Sequence, residues 1–313
     1  MDCSKRLTNR IRGFMNRHHE VVPNMNRMAS LCAGMVAAGV LLLSGGAMAQ
    51  NITMNNGGST ATLNVGGGTG TIGMNSWSVD TLNQSQLNQQ WFWYSVNGAP
   101  QTTIDQISAA TVYNFSNPSS PIDNIGVVYQ NSQLSVQVQY VLSGNGSGSG
   151  SADMQEYLSI VNNGASAINL NFYQYSNFNL FQDNQNSVSI SGSPGAYGGA
   201  LQTTTTGGGN GIAEVIDAPY ANRAEAASTF QTLNALNSGS FYNLNDTTSA
   251  GPGDVTWAFQ WTATLAPNGQ NGDTLNITKD KGLSISIVPE PSTLALIALG
   301  MGALGLTLRR KLS

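Results

Sequence analysis

Between Leu134 and Leu142 the chain reads Leu-Ser-Val-Gln-Val-Gln-Tyr-Val-Leu. Leu134, Val136, Val138 and Tyr140 alternate with Ser135, Gln137 and Gln139, the period of a half-buried strand. Trp77 and Val79 alternate in the same way with Ser76, Ser78 and Asp80. Met154 to Val161 and Ile168 to Tyr175 predict a hairpin around Asn162-Asn163-Gly164. Short Thr/Val/Ile/Leu stretches between glycine clusters predict two or three strands over Ile52 to Gly73. Further strands are predicted at Ala109 to Phe115, Gly126 to Gln130, Val188 to Ser191, Ala200 to Thr205, Ala213 to Ile216, Val255 to Leu265 and Leu283 to Val288.

Trp91-Phe92-Trp93-Tyr94-Ser95-Val96 breaks the alternation by being apolar on both faces. Such a strand belongs in the middle of two packed layers, since large strand aromatics are usually core. The sharper alternative is a surface aromatic platform for sugars, using Trp91, Trp93, Trp257 or Trp261. Asn222 to Asn237 predicts a helix: Asn222 and Glu225 fit a capping pair, Ala224, Ala226 and Ala227 favour helix, and Gly239 follows as a stop. Gly144 to Ser151 reads as a flexible loop inside one domain. Many short strands with polar turns predict an all-β fold, an antiparallel β-sandwich or jelly roll with one short helix. A closed up-and-down barrel is the alternative.

The ends of the chain have a different pattern. Lys5, Arg6, Arg10, Arg12, Arg17 and Arg27 precede an apolar run from Leu31 to Leu43 and an Ala47-Met48-Ala49 site. This is the layout of a secretory signal helix, with cleavage expected before Gln50. The basic region is long, and Met25 or Met28 would each start a signal of ordinary length in place of Met1. Cys32 precedes most of the apolar run, and Leu31 beside it is too large for a lipoprotein site. At the other end, Val288-Pro289-Glu290-Pro291 leads into an uncharged stretch, Leu294 to Leu308, closed by Arg309-Arg310-Lys311. Pro291 suits the first turn of a helix, and Glu290 suits its positive end. Thr293 to Arg310 as a helix would span roughly 27 Å at about 1.5 Å per residue, close to a bilayer core once the arginines snorkel. The basic cluster is expected to stay cytoplasmic and everything before Pro289 to lie outside.

Val-Pro-Glu-Pro, one apolar segment and an Arg/Lys tail resemble the PEP-CTERM sorting signal of Gram-negative bacteria, also catalogued as an ice-binding protein C-terminal domain. The resemblance covers about the last 26 residues. It implies recognition by exosortase, a membrane-embedded cysteine transpeptidase-like enzyme, and cutting near Pro289-Glu290-Pro291. The expected organisation is a signal peptide over 1–49, a β-rich extracytoplasmic domain over 50–288 and a sorting and anchor segment over 289–313. The partners implied are exosortase, the secretion machinery and, before processing, the membrane.

Composition narrows the chemistry of the middle region. Cys3, Cys32, His18 and His19 all lie in the leader. The exported region therefore lacks the residues for a disulfide, a Ser-His-Asp triad, a Cys-His pair or a His-bearing zinc site. Between Asn51 and Val288 three basic residues, Arg223, Lys279 and Lys281, stand against thirteen acidic ones. That surface repels phosphate backbones and argues against nucleic acid.

Lys279 and Lys281 flank Asp280 and read as a polar turn. A glycoside hydrolase needs two facing carboxylates, for which Glu156, Glu214 and Asp217 are the candidates. Glu156, between Gln155 and Tyr157, reads as outward and solvated. Asn245 to Asp254 and Asp183 to Asn186 are oxygen-rich loops that could hold calcium, although Asp and Asn there serve mostly as turn formers. Thr203 to Thr206 alternate faces and give no flat threonine rank for ice. No cofactor is expected. The sequence predicts an exported, surface-sorted, non-enzymatic structural or extracellular-matrix protein of the biofilm or exopolysaccharide kind, with extracellular polysaccharide as a further partner. The alternatives are a glycan-binding module and, behind it, a carboxylate-dependent glycoside hydrolase.

Overall fold

The computed structural model describes residues 51–66, 71–80, 82, 84–206 and 211–285. The expected signal helix, its cleavage site and the C-terminal anchor lie outside the described residues. Two antiparallel sheets pack face to face over one core. Sheet A runs in the order β1 (Asn51–Asn56), β2 (Ser59–Asn64), β3 (Gly73–Val79), β4 (Leu87–Val96), β10 (Ile168–Phe178), β16 (Val255–Leu265) and β14 (Arg223–Ser228), with β5 (Thr102–Thr103) on β4. Sheet B runs β15 (Ser249–Gly253), β11 (Asn186–Ser191), β12 (Gly199–Thr204), β13 (Gly211–Ala218), β17 (Thr274–Ser284), β9 (Ser151–Asn162), β8 (Leu134–Gly144), β7 (Asn124–Gln130) and β6 (Thr111–Asn114). This is the antiparallel sandwich that the alternation predicts, with two open-edged sheets in place of a closed barrel. In β8 the alternation holds residue by residue: Leu134, Val136, Val138 and Tyr140 are buried, and the intervening polar residues are half-buried.

The Trp91 to Val96 block lies inside sheet A, beside β10. Phe92 stacks on Phe172, with centroids 5.6 Å apart. Trp93 meets Tyr175 edge-on and donates its indole N–H to Asn237 Oδ1 at 3.0 Å. The segment after β14 covers the outer face here. Its helix α1 (Gln231–Leu236) buries Leu236, and the Tyr242 carbonyl accepts the Tyr173 hydroxyl at 2.8 Å. Trp91, Phe92 and Trp93 are therefore buried on both faces of the strand, while Tyr94 and Val96 are half-buried.

Three expected elements differ. The Met154–Val161 and Ile168–Tyr175 hairpin does not form: β9 pairs with β8 and β17 in sheet B, while β10 pairs with β4 and β16 in sheet A. The Asn-Asn-Gly link is a crossover between sheets, fastened by the buried Asn162. Its side chain donates to the Ser166 and Ala266 carbonyls at 2.8 and 2.7 Å and accepts from the Gly164 amide at 2.9 Å. The helix expected over Asn222 to Asn237 forms only at its end, over Gln231–Leu236, while Arg223–Ser228 is strand β14. Ala224 and Ala226 are small enough to pack β14 tightly beside β16, and that pairing overrides alanine's helix propensity. Asn222 Oδ1 accepts from the Thr262 amide at 2.7 Å instead of capping a helix. The last strand also begins earlier than expected, at Thr274, and ends at Ser284.

Candidate functional site

β17 sits between β13 and β9 in the middle of sheet B. Lys279 stands directly across from Ile216 on one side and Glu156 on the other, and Lys281 across from Glu214 and Met154. Residues two apart on a strand share a face, so both lysines turn into the sandwich with both glutamates. All four side chains are closed to solvent.

Lys279 Nζ contacts Glu156 Oε2 and lies 3.4 Å from Glu214 Oε1. Lys281 Nζ lies 2.6 Å from Glu156 Oε1 and 3.2 Å from Glu214 Oε1. Sheet A completes the shell. Gln90 Nε2 donates to Glu156 Oε2 at 3.1 Å, Gln174 Nε2 to both Glu214 oxygens at 2.7 and 2.8 Å, and Trp257 Nε1 to Glu214 Oε2 at 2.7 Å. The Lys279 ammonium also lies 5.2 Å from the Phe92 ring centre, on its face. Two positive and two negative charges thus form a neutral, hydrogen-bonded quartet in the dry core, the arrangement that offsets much of the cost of desolvating ions.

The titration behaviour follows. Burial alone would raise the Glu214 pKa, but Lys281 and Lys279, with the Trp257 and Gln174 hydrogen bonds, hold it down at about 2. For Lys279 burial wins: although Glu156 and Glu214 favour the ammonium, burial and the neighbouring Lys281 charge bring it down to about 8. Lys281 goes the other way. Burial would lower it, but Glu156 and Glu214 outweigh that and raise it above the ordinary lysine value. Tyr140, directly across from Glu156 in the β8–β9 ladder, is raised well above its usual value by burial and the Glu156 charge.

Several expectations change here. Glu156 is buried, not solvated. Lys279 and Lys281 lie in a strand interior, not a polar turn. Glu156 and Glu214 do come together, but both are buried between the sheets, while Asp217 is exposed near the end of β13. The signal that could have found the quartet is parity. Glu156 shares its face with Met154, Leu158 and Ile160, Glu214 with Ile212 and Ile216, and the two lysines with Ile277 and Leu283.

The remaining candidates are accounted for locally. Trp91, Trp93, Trp257 and Trp261 are all buried and present no sugar platform. Asp183 accepts from the Gln185 amide at 2.9 Å and the Thr204 hydroxyl at 2.7 Å, as a turn former does. Asp246 pairs with Arg223 at 2.6 Å. Among the described residues no group of three or more acidic side chains is placed to hold a metal. A surface depression of about 350 Å³ lies beside the β1–β2 turn, lined by Asn56, Gly58, Ser78, Asp80 and others, and none of the quartet reaches it.

A family model for the PEP-CTERM protein-sorting motif matches residues 288–311. That range holds Val288, Pro289, Glu290 and Pro291 at its start and Arg309, Arg310 and Lys311 at its end. The chain therefore carries a PEP-CTERM sorting motif, which indicates an exported protein sorted by exosortase. No curated protein matches the chain. Among solved structures, a bacterial glucoamylase complexed with acarbose is similar with a TM-score of 0.51 at 10% identity, over 85% of this chain and 36% of that one. The chain thus spans about a third of the glucoamylase, and at this identity the likeness shows the fold alone. A putative aldose 1-epimerase from Escherichia coli K12 gives a TM-score of 0.39 at 10% identity, over 77% of this chain and 100% of that one. A polysaccharide lyase gives 0.40 at 13% identity, over 74% of this chain and 32% of that one. Among the described residues no helix is long and apolar enough to cross a membrane.

Proposed function

We propose that this chain, bearing the PEP-CTERM sorting motif, is a non-enzymatic structural module of the extracellular matrix. It is exported by a leader over 1–49 that is cut between Ala49 and Gln50, after the Ala47-Met48-Ala49 site. The segment 289–313 then holds it in the membrane, with Arg309, Arg310 and Lys311 on the cytoplasmic side, until exosortase cuts near Pro289-Glu290-Pro291. The observation that carries this reading is the junction. β17, a central strand of sheet B, ends at Ser284, four residues before the matched motif begins at 288. A tether there pulls on the middle of the sandwich and not on an edge strand. Sequestration of Glu156 and Glu214, the paired acid/base candidates, also supports a structural role over hydrolysis. Replacing Pro289, Glu290 and Pro291 together with alanine tests it. Full-length precursor should accumulate in the membrane fraction, and unchanged release would contradict the reading.

One observation favours glycan binding as a second reading. Tyr113 and Phe115 stack nearly parallel, 5° apart with centroids 6.2 Å apart, at the β6 edge of sheet B, and Phe115 is exposed. If sugars stack there, Phe115→Ala should weaken retention on the host's own exopolysaccharide. Equal retention would remove this reading.

A further inference from the structure

Lys279 and Glu156 are an amine and a carboxyl group pressed together where water cannot enter, with neighbours at each position that an acyl transfer uses. We propose that Lys279 Nζ and Glu156 Cδ condense into an intramolecular amide, cross-linking β17 to β9. The step balances internally: a lysine ammonium and a glutamate carboxylate give one secondary amide and one water.

The surroundings fit the chemistry atom by atom. Low polarity disfavours separated charges, so a proton passing from Nζ to Glu156 Oε2 leaves a neutral amine beside a carboxylic acid. The depressed Lys279 pKa agrees with that. The nitrogen lone pair then attacks Cδ, and the charge that develops on Oε1 meets the Lys281 ammonium at 2.6 Å. Oε2, held by the Gln90 amide at 3.1 Å, takes a second proton from Nζ and leaves as water. Both partners are fixed on paired strands, so the reaction is unimolecular and little orientational entropy remains to be lost.

Charge balance is compatible with this pair. Condensation removes one positive and one negative charge and leaves Lys281 with Glu214 as counterion at 3.2 Å, Glu214 still held by Gln174 and Trp257. A quartet needs four charges to be neutral, but its remainder is neutral as well. The amide also ties the strand nearest the sorting motif to its neighbour, so a pull from the C-terminus could not unzip β17 beyond Lys279. That consequence rests on the proposed sorting, whereas the bond itself does not.

The test is mass spectrometry of the full chain, denatured and digested with chymotrypsin. A branched peptide joining the Glu156 and Lys279 segments, lighter than their sum by one water, is the expected result, and it should be absent from Lys279→Arg. Linear peptides from wild-type protein whose circular dichroism shows it folded would overturn the proposal. A branch through Lys281 would overturn the assignment of Lys279. Because wild-type protein decides, a variant that fails to fold leaves the answer intact. Cells lacking exosortase should give the same branched peptide, which separates this bond from the sorting reading.

Discussion

Lys281 faces Glu214 across the β13–β17 ladder, with its ammonium 3.2 Å from Glu214 Oε1 and both side chains shut away from water. Removing one partner of such a pair leaves an uncompensated buried charge, which typically costs about 3–5 kcal/mol. Lys281→Met should therefore lower the urea midpoint sharply. Lys281→Met with Glu214→Gln should recover much of the loss, because neutral groups of similar volume replace the pair. A double variant no better than the single one would show that the charges are not coupled.

Acid should act through Glu214. Its folded pKa, held at about 2, lies below the ordinary value of 4.5, so its contribution is complete above pH 4.5 and is lost as pH falls toward 2. Urea midpoints between pH 5 and pH 2.5 should fall more steeply for the wild type than for Glu214→Gln. Parallel curves would contradict the assignment.

Asp153 should act in the opposite sense. Burial and the nearby Asp280 charge raise its carboxyl to about 7, against a weaker lowering by Asn145. The unfolded chain then gives up its proton between about pH 4 and 7 while the folded one keeps it, so stability falls as pH rises through that window. Asp153→Asn, which stays neutral, should stabilise the protein more at pH 8 than at pH 4. A gain equal at both pH values would argue against it.

Glu225 fastens the segment that covers the outer face of sheet A. It accepts from the Thr232 hydroxyl at 2.6 Å, the Tyr242 hydroxyl at 2.5 Å and the Asn245 amide at 3.1 Å. Glu225→Ala should leave the buried Thr232 hydroxyl and two partly buried donors, the Tyr242 hydroxyl and the Asn245 amide, without their acceptor and loosen residues 229–247 by about 1–3 kcal/mol. Hydrogen exchange should show faster amides there while β8 and β9 keep their protection. Uniform acceleration across the chain would mean that the cover is not a separate cooperative unit.

The local alternation made the strands legible. Leu134 to Leu142 and the aromatic block needed nothing beyond period two and apolar density. What stayed hidden was decided by distant partners. Whether β10 turned back on β9 or crossed to the other sheet depended on Asn162 satisfying the crossover loop. Arg223–Ser228 looked helical because alanine favours a helix when no sheet edge competes, and β16 provides that edge. Glu156, Lys279 and Lys281 look exposed by their charge, although their parity sets them among apolar neighbours. Each was charged and inward, which is stable only when the opposite charge arrives from strands far away in sequence.

The most direct measurement is the C-terminal sequence of the protein in cells with and without exosortase, read by mass spectrometry of surface and membrane fractions. A surface form ending near Pro289-Glu290-Pro291 is expected only where exosortase is present, and a membrane-held form extending through Arg309-Arg310-Lys311 where it is absent. The same terminus in both strains would contradict exosortase processing.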